Sequence, residues 1–322
     1  MLIGTYIEAP IASEMSANII DLCPVGALTS KPYAFTARPW ELKKTETVDV
    51  LDAVGSNIRV DSRGGSVMRI LPRSNDEVNE DWISDKTRFA YDGLGLQRIT
   101  YPLFRTNGGE FERVTWAYAL DIIKEKMAGL EPKHIAGVAG ALCDAESLVA
   151  FKDLFSSLQS SQIGIELSSL PTEIGQERAS RLLNVGISGI EDSDCILLVG
   201  TNPRWEAAVF NTRIRRAWLN GADIGVVGPL PALNYGVEHI SPLASGIQSL
   251  LDGTHQFSSK LKTAKRPVLI IGTGVFSGTE VSQSEAVFKA FRELGDSLSN
   301  GKAVDEEWKH KIHNVLHHVI SL

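Results

Sequence analysis

From about residue 99 onward the sequence alternates short, continuous apolar runs with longer amphipathic ones. No other feature restricts the fold as strongly. The apolar runs are His134–Ala139, Ile163–Leu167, Cys195–Val199, Ile224–Val227 and Val268–Ile271. Helical patterning falls on Trp116–Leu130, Asp144–Leu158, Trp205–Leu219, Glu280–Leu294 and Asp305–Ile320. A strand reads as unbroken apolar sequence when helices cover its sheet on both faces, as they do in parallel sheets. Residues 99–322 are therefore expected to build βαβ units, a doubly wound parallel-sheet α/β domain. Asp144, placed before an amphipathic run, is expected to cap that helix by accepting from free N–H groups of its first turn.

The first hundred residues read differently. Residues 36–98 are expected to form a small β-rich domain. Thr45–Val50 and Asn57–Asp61 alternate with period two, and Val67–Leu71 follows the Gly64-Gly65 pair. Two glycines between alternating runs predict a hairpin with a tight turn. Residues 1–35 lack the pattern of a complete helix or hairpin. A short helix over Ser13–Ile20 leading into a turn at Cys23–Gly26 is the expected local structure. A piece of this size without disulfides or metal does not bury a core of its own, so it is expected to pack against something else.

Composition excludes several classes. At 322 residues, with 43% hydrophobic and 22% charged residues, the chain has the profile of a globular protein of two domains. A net charge of −7 gives no basic excess for a nucleic-acid backbone. No apolar run approaches the ~18 residues of a membrane span. Three cysteines do not make a disulfide framework. The first basic residue is Lys31, so the N-terminus shows neither a secretory nor a transit pattern. The expectation is that the protein stays where it is made or that another chain carries its address.

Among local motifs, Asp21-Leu22-Cys23-Pro24-Val25-Gly26-Ala27-Leu28 stands out. A Cys-Pro pair followed by small residues is how the last ligand of a ferredoxin-type [4Fe–4S] site is presented: the thiolate binds iron, proline holds the turn, and small residues admit backbone N–H groups to the sulfides. The other three ligands of such a site come from a C-x-x-C-x-x-C run, which is absent. From these residues alone, a cluster ligand and an unreactive buried cysteine in a tight turn both stand open. Cys143 and Cys195 are expected to act as small hydrophobes. Gly200-Thr201-Asn202-Pro203-Arg204 lies between a strand and a helix, where phosphates bind in open α/β sheets. Neither it nor Gly137–Gly140 nor Gly272–Gly274 completes a dinucleotide or P-loop fingerprint, so no nucleotide site is expected. His310, His313 and His317 lie near one helical face, with His318 beside them; a polar helix face is the expected reading rather than a metal site. No hydrolase motif is present.

Taken with Thr29–Phe35, Trp40–Leu42, Asp52–Ile58, Met68–Arg73 and Trp82–Gly93, the Ser16–Leu28 string resembles the 75-kDa iron–sulfur subunit family of respiratory complex I, NADH:ubiquinone oxidoreductase. The likeness continues through Gly137–Leu154 and Leu198–Ala207 and weakens after about Leu230. The resemblance implies a relay of electrons from a flavin through iron–sulfur clusters to ubiquinone. It implies the C-terminal tail of a ferredoxin-like iron–sulfur module in 1–35, a small domain of the 4Fe-4S Mo/W bis-MGD type in 36–98, and an incomplete molybdopterin oxidoreductase-like domain in 99–322. Only Cys23 matches a family cluster ligand, as the fourth cysteine of the second [4Fe–4S] cluster. The segment Asp49–Asn57, where some relatives place cysteines of an extra cluster, has none. No cluster is expected there, and no molybdopterin.

These points lead to a middle fragment of the usual subunit, from a split gene. The cluster at Cys23 is expected to be shared with a partner chain, the N-terminal iron–sulfur fragment of the same subunit. A C-terminal fragment, where one exists, and other peripheral-arm subunits including the flavoprotein complete the expected partners. The expected location is the matrix-side peripheral arm at the mitochondrial inner membrane, with no direct span. No catalytic residue is expected, and the isolated chain is expected to be inactive. The alternatives are a free-standing molybdopterin-type oxidoreductase, which needs a metal ligand and phosphate sites not found here, a dinucleotide-binding dehydrogenase domain, and a relic scaffold with no redox centre.

Overall fold

The computed structural model describes residues 11–106, 108–140, 142–165, 183, 185–243, 246–275, 289–290, 293–294, 297, 304–305 and 319–320. The chain divides into two compact units, one of residues 1–91 with 169–322 and the other of 92–168.

The first unit begins with helix α1 (Asn18–Leu22), one turn later than the expected Ser13–Ile20 helix. Strands β1 (Lys43–Val48), β2 (Asn57–Arg63) and β3 (Ser66–Pro72) form an antiparallel sheet in that order. The expected hairpin is present. Gly64 and Gly65 have φ of +58° and +84°, the left-handed pair that a two-residue turn between right-twisted strands requires. Helix α2 (Asp85–Phe89) follows; its N-cap Ser84 accepts from Thr87 N at 3.1 Å.

Residues 92–168 hold the hairpin β4 (Leu103–Arg105) and β5 (Phe111–Arg113), helix α3 (Trp116–Met127), strand β6 (Gly137–Ala139), helix α4 (Ala145–Ser157) and strand β7 (Ile163–Ile165). Asp144 caps α4, accepting from Ser147 N at 2.6 Å. β6 and β7 pair parallel with each other and make a two-stranded sheet of their own. This corrects the single parallel sheet expected from periodicity: an apolar run reports burial, not which sheet the strand joins. Gly137 lets β6 lie against α4, because a Cβ there would come within 2.3 Å of the Phe155 ring. Helix α3 has no buried residue.

The chain then returns to the first unit with β8 (Cys195–Val199), α5 (Pro203–Glu206), α6 (Ala208–Leu219), β9 (Asp223–Val227), β10 (Glu238–Ser241), α7 (Gly246–Leu251), α8 (Phe257–Thr263), β11 (Pro267–Gly272) and β12 (Val319–Ile320). The five strands run parallel in the order β10-β9-β8-β11-β12. Ile196, Leu197 and Leu198 at the sheet centre are fully buried, with Phe210 and Ile214 of α6 and Phe257 of α8 among the largest buried side chains. Each such side chain contributes roughly 1.5–3 kcal/mol on leaving water. The expected Trp205–Leu219 helix is split at Ala207 and begins earlier, with Pro203 in its first turn. β10 was not expected, since its half-buried residues lack an apolar run. Of the expected Glu280–Leu294 helix, the described residues Lys289, Ala290, Glu293 and Leu294 are helical; its remainder, the histidines at 310, 313, 317 and 318 and most of Asp305–Ile320 lie outside the described residues. The end of that last segment is strand rather than helix, because Val319 pairs with Ile271.

Candidate functional site

Cys23 caps the C-terminus of α1, its N–H donating to Ile19 O, and the chain turns directly after it through Gly26 at φ +67°. The backbone amides of Leu28, Val25, Ala27 and Gly26 face the sulfur. Together they hold its pKa below the ordinary thiol value, Leu28 and Val25 foremost, with burial opposing. A row of N–H groups around one sulfur favours the thiolate, the form that binds metal. Cys23 is partly exposed, so of the two open readings the inert buried cysteine is the one the geometry disfavours.

What fixes this turn is a polar clamp. A five-residue helix is too short to persist alone. Its N-cap position, Ala17, has no side-chain oxygen to offer. Asp85, at the start of α2, substitutes: its carboxylate accepts from Ala17 N at 2.9 Å and Ser16 Oγ at 2.7 Å. Asn18 is 5% exposed and donates to Met15 O and Ile83 O while accepting from Ile83 N and Arg88 Nη2. Arg88, 3% exposed, also donates to Asp21, two residues before the cysteine. Glu14 pairs with Arg204 of α5 at 2.8 Å, and Arg204 donates further to Ala232 O and Ala12 O. Sequence reasoning missed Asn18, Asp85, Arg88 and Glu14. No local motif joins residues about 70 positions apart, and the one available signal was Asp21 beside the Cys-Pro pair.

The other two cysteines part company. Cys195 is buried in β8, where desolvation pushes its pKa far up. Cys143 is exposed, so the expectation that it packs as a small hydrophobe does not hold. It sits in a turn before the α4 cap rather than on a core-facing position. Among the described residues, no three His, Cys, Asp or Glu side chains are placed to hold a metal.

The second place where chemistry could gather is the carboxyl end of β8 and β11, the point at which strand order reverses and ligands bind in open α/β sheets. Here backbone segments approach one another closely. A Cβ on Gly200 (φ +58°) would lie 2.4 Å from Val275 Cγ2 and 2.6 Å from Val275 N. One on Gly272 or Gly274 would lie 2.5 Å from Gly200 O. The Thr201 hydroxyl is taken by the Glu206 carboxylate, and Arg204 is engaged as above. In the small sheet, the Asp49–Asn57 loop is closed from within. Ser56 Oγ donates to Asp52, and Thr87 Oγ1 to Asp49, at 2.5 Å each.

A five-stranded parallel sheet with its crossover at β8/β11, following a β-rich unit and a cysteine-bearing tail in the sequence, is an open α/β architecture. The chain belongs to the molybdopterin oxidoreductase family, whose model matches residues 98–319. Two further models match upstream: the NADH-ubiquinone oxidoreductase NDSU1/NuoG-like 4Fe-4S domain over residues 42–92 and the ferredoxin-like domain of NADH-quinone oxidoreductase subunit 3 over residues 1–29. Among curated relatives, the mitochondrial NADH-ubiquinone oxidoreductase 78 kDa subunit of Candida albicans is 53% identical over 93% of this chain and 41% of its own length. The mitochondrial NADH dehydrogenase [ubiquinone] iron-sulfur protein 1 of Solanum tuberosum is 48% identical over 95% of this chain and 41% of its own. The 78 kDa subunit of Neurospora crassa is 50% identical over 95% and 41%. The chain thus spans about two fifths of the length of the curated relatives it matches, and its kinship is with the 75/78-kDa subunit of complex I.

Proposed function

We propose that this chain works in a respiratory NADH:ubiquinone oxidoreductase, within the electron-relay subunit that its relatives represent, and that Cys23 is one ligand of a [4Fe–4S] cluster. The observation that carries the reading is the set of four backbone amides facing Cys23 inside the segment matched by a ferredoxin-like model. Such a cluster passes one electron at a time between neighbouring centres. Four thiolates are needed. The chain has three cysteines, and Cys195 is locked in a sheet, so the remaining ligands come from other polypeptide. We assign them to the N-terminal iron–sulfur fragment of the same subunit.

The residues of this chain do three things in that arrangement. Cys23 offers a thiolate. The amides of Val25, Gly26, Ala27 and Leu28 offset negative charge around it. Leu22 and Val25, 61% and 81% exposed, present apolar surface to the covering polypeptide and keep water from the centre. Binding a shared cluster would also help join the two polypeptides, since ligand free energy is assembly free energy.

The 42–92 domain, despite the 4Fe-4S description of its family, contains no cysteine, and its loop is occupied by the Asp49 and Asp52 networks. It acts as scaffold without a cluster. The strand-end crevice does not fit a phosphate-bearing pterin, because Gly200, Gly272 and Gly274 pack on one another and Glu206 brings negative charge. No molybdopterin and no nucleotide is assigned to this chain. No helix among the described residues is long and apolar enough to cross a membrane. We place the protein in the matrix-side peripheral arm of complex I at the mitochondrial inner membrane, beside the flavoprotein and, where one exists, a C-terminal fragment of its own subunit.

The test is Cys23→Ser in the native complex, read by low-temperature EPR and by mass spectrometry of the assembled subunits. Loss of one [4Fe–4S] signal, with a cysteine-bearing partner present in equal amount, is the expected result. An unchanged set of signals would leave the chain as a scaffold with no redox ligand.

A further inference from the structure

Helix α1 carries Cys23 but is scarcely anchored by apolar contacts. Leu22 is exposed, Ile19 is 37% exposed, and within residues 11–22 Ala17 is the one buried apolar residue. Its position depends on polar cross-links to residues 83–88. Within them Arg88 is unusual. It is a buried cation whose single nitrogen Nη2 makes both the bond to Asn18 Oδ1 and the bond to Asp21 Oδ2. Its Nε is buried with no partner among the described residues. A buried guanidinium with an unfilled donor carries a real desolvation cost. A fold that needed only to seal this spot would do as well with an apolar side chain.

We infer that Arg88 is a positioning residue for the Cys23 turn: through Asn18 and Asp21 it clamps α1, and its charge, held beside the cysteine-bearing helix, biases the bound cluster toward its reduced state. The second half of this inference rests on the reading of Cys23 as a cluster ligand; the first does not. A cluster gains negative charge on reduction. A fixed cation nearby favours that form, and a fixed anion such as Asp21 opposes it. Because one nitrogen does the clamping, a lysine ammonium, which donates three bonds from one atom, can replace it where methionine cannot.

Two measurements decide the matter. Hydrogen exchange on the full chain follows the amides of residues 14–23, with strand Cys195–Val199 as internal control. Redox-titrated EPR on the assembled complex gives the midpoint potential of the cluster. Arg88→Met is expected to strip protection from 14–23 while the control strand keeps its own, and to lower the midpoint or lose the cluster. Arg88→Lys is expected to restore both. Asp21→Asn, which leaves the cation in place and removes the anion, is expected to raise the midpoint. Unchanged exchange in Arg88→Met would overturn the clamp. Lost protection with an unaltered potential and line shape would reduce Arg88 to a folding residue and overturn the bias. So would shifts of the same sign in Arg88→Met and Asp21→Asn, or failure of Arg88→Lys to rescue. The Cys23→Ser complex separates the two readings. If its spectrum is unchanged, the ligand assignment fails, and the exchange arm still decides the clamp.

Discussion

At the scale of single residues, the sharpest conflict between charge and burial is at Asp52. It is 7% exposed, and desolvation raises its pKa above the ordinary carboxylate value; the neighbouring Asp49 pushes in the same direction. Hydrogen bonds from Ser56 and Val54 oppose the rise without cancelling it. A carboxyl whose folded pKa exceeds its unfolded value binds more protons in the native state, so its contribution to stability falls as pH climbs from about 4 through that raised pKa. Asp52→Asn cannot titrate, yet it keeps both bonds. Its carbonyl still accepts from Val54 N, and its amide donates to a rotated Ser56 hydroxyl. The variant should match the parent near pH 4 and become progressively more stable relative to it toward pH 8. Urea midpoints at a series of pH values check this, and a difference flat with pH would refute it. The same scale shows why part of the site was hidden in the sequence. Cys23 was visible because Cys-Pro is a local motif. Arg88, Asn18 and Asp85 act across 65–70 positions, a separation that no periodicity encodes.

At the scale of elements, α6 is tied to the loop that follows β3 by ions rather than by apolar packing alone. Arg213, 4% exposed, donates to Glu191 at 2.7 Å and to the backbone carbonyls of Asp76 and Val78. Arg216 bridges Glu80 and Glu191 at 2.8 Å each. That pairing holds the Glu80 carboxyl below its usual pKa. Removing one partner of a buried pair costs about 3–5 kcal/mol. Arg213→Met should fall at the lower end, about 3 kcal/mol, because Arg216 still reaches Glu191. Equilibrium denaturation of the full chain measures it, and a loss below about 1 kcal/mol would mean the loop at residues 76–80 is held by other contacts. Elements whose character is periodic were legible in advance: the CILLV strand of β8, the Gly-Gly hairpin, the capped α4. Those whose character comes from partners were not. β10 has no apolar run to announce it, and β6 and β7 were readable as strands but not as a separate sheet.

At the scale of the whole molecule, residues 92–168 are short of core. Trp116, Leu120 and Ile123, at spacings that share one helical face, are each more than half exposed on α3, and Val149 and Leu154 are so on α4. Thr115 caps α3, accepting from Tyr118 N at 3.3 Å, so its start is well specified although nothing in the described structure covers its apolar side. Twelve-residue helices are marginal in water without such cover, and contiguous apolar surface of this kind marks an interaction face. Among the described residues of this unit the buried apolar ones are Ala139 and Phe155, the Phe155 ring lying tilted with its centroid 4.7 Å from that of Phe151. Relatives more than twice as long as this chain have ample polypeptide to supply a cover. A fragment of residues 92–168 should therefore show helical circular dichroism that melts gradually, with no cooperative transition, because the burial available is too small to offset chain entropy. A sharp thermal transition in the isolated fragment would show that α3 and α4 need no cover. The exposed face would then be ordinary surface rather than a seam of the assembled subunit.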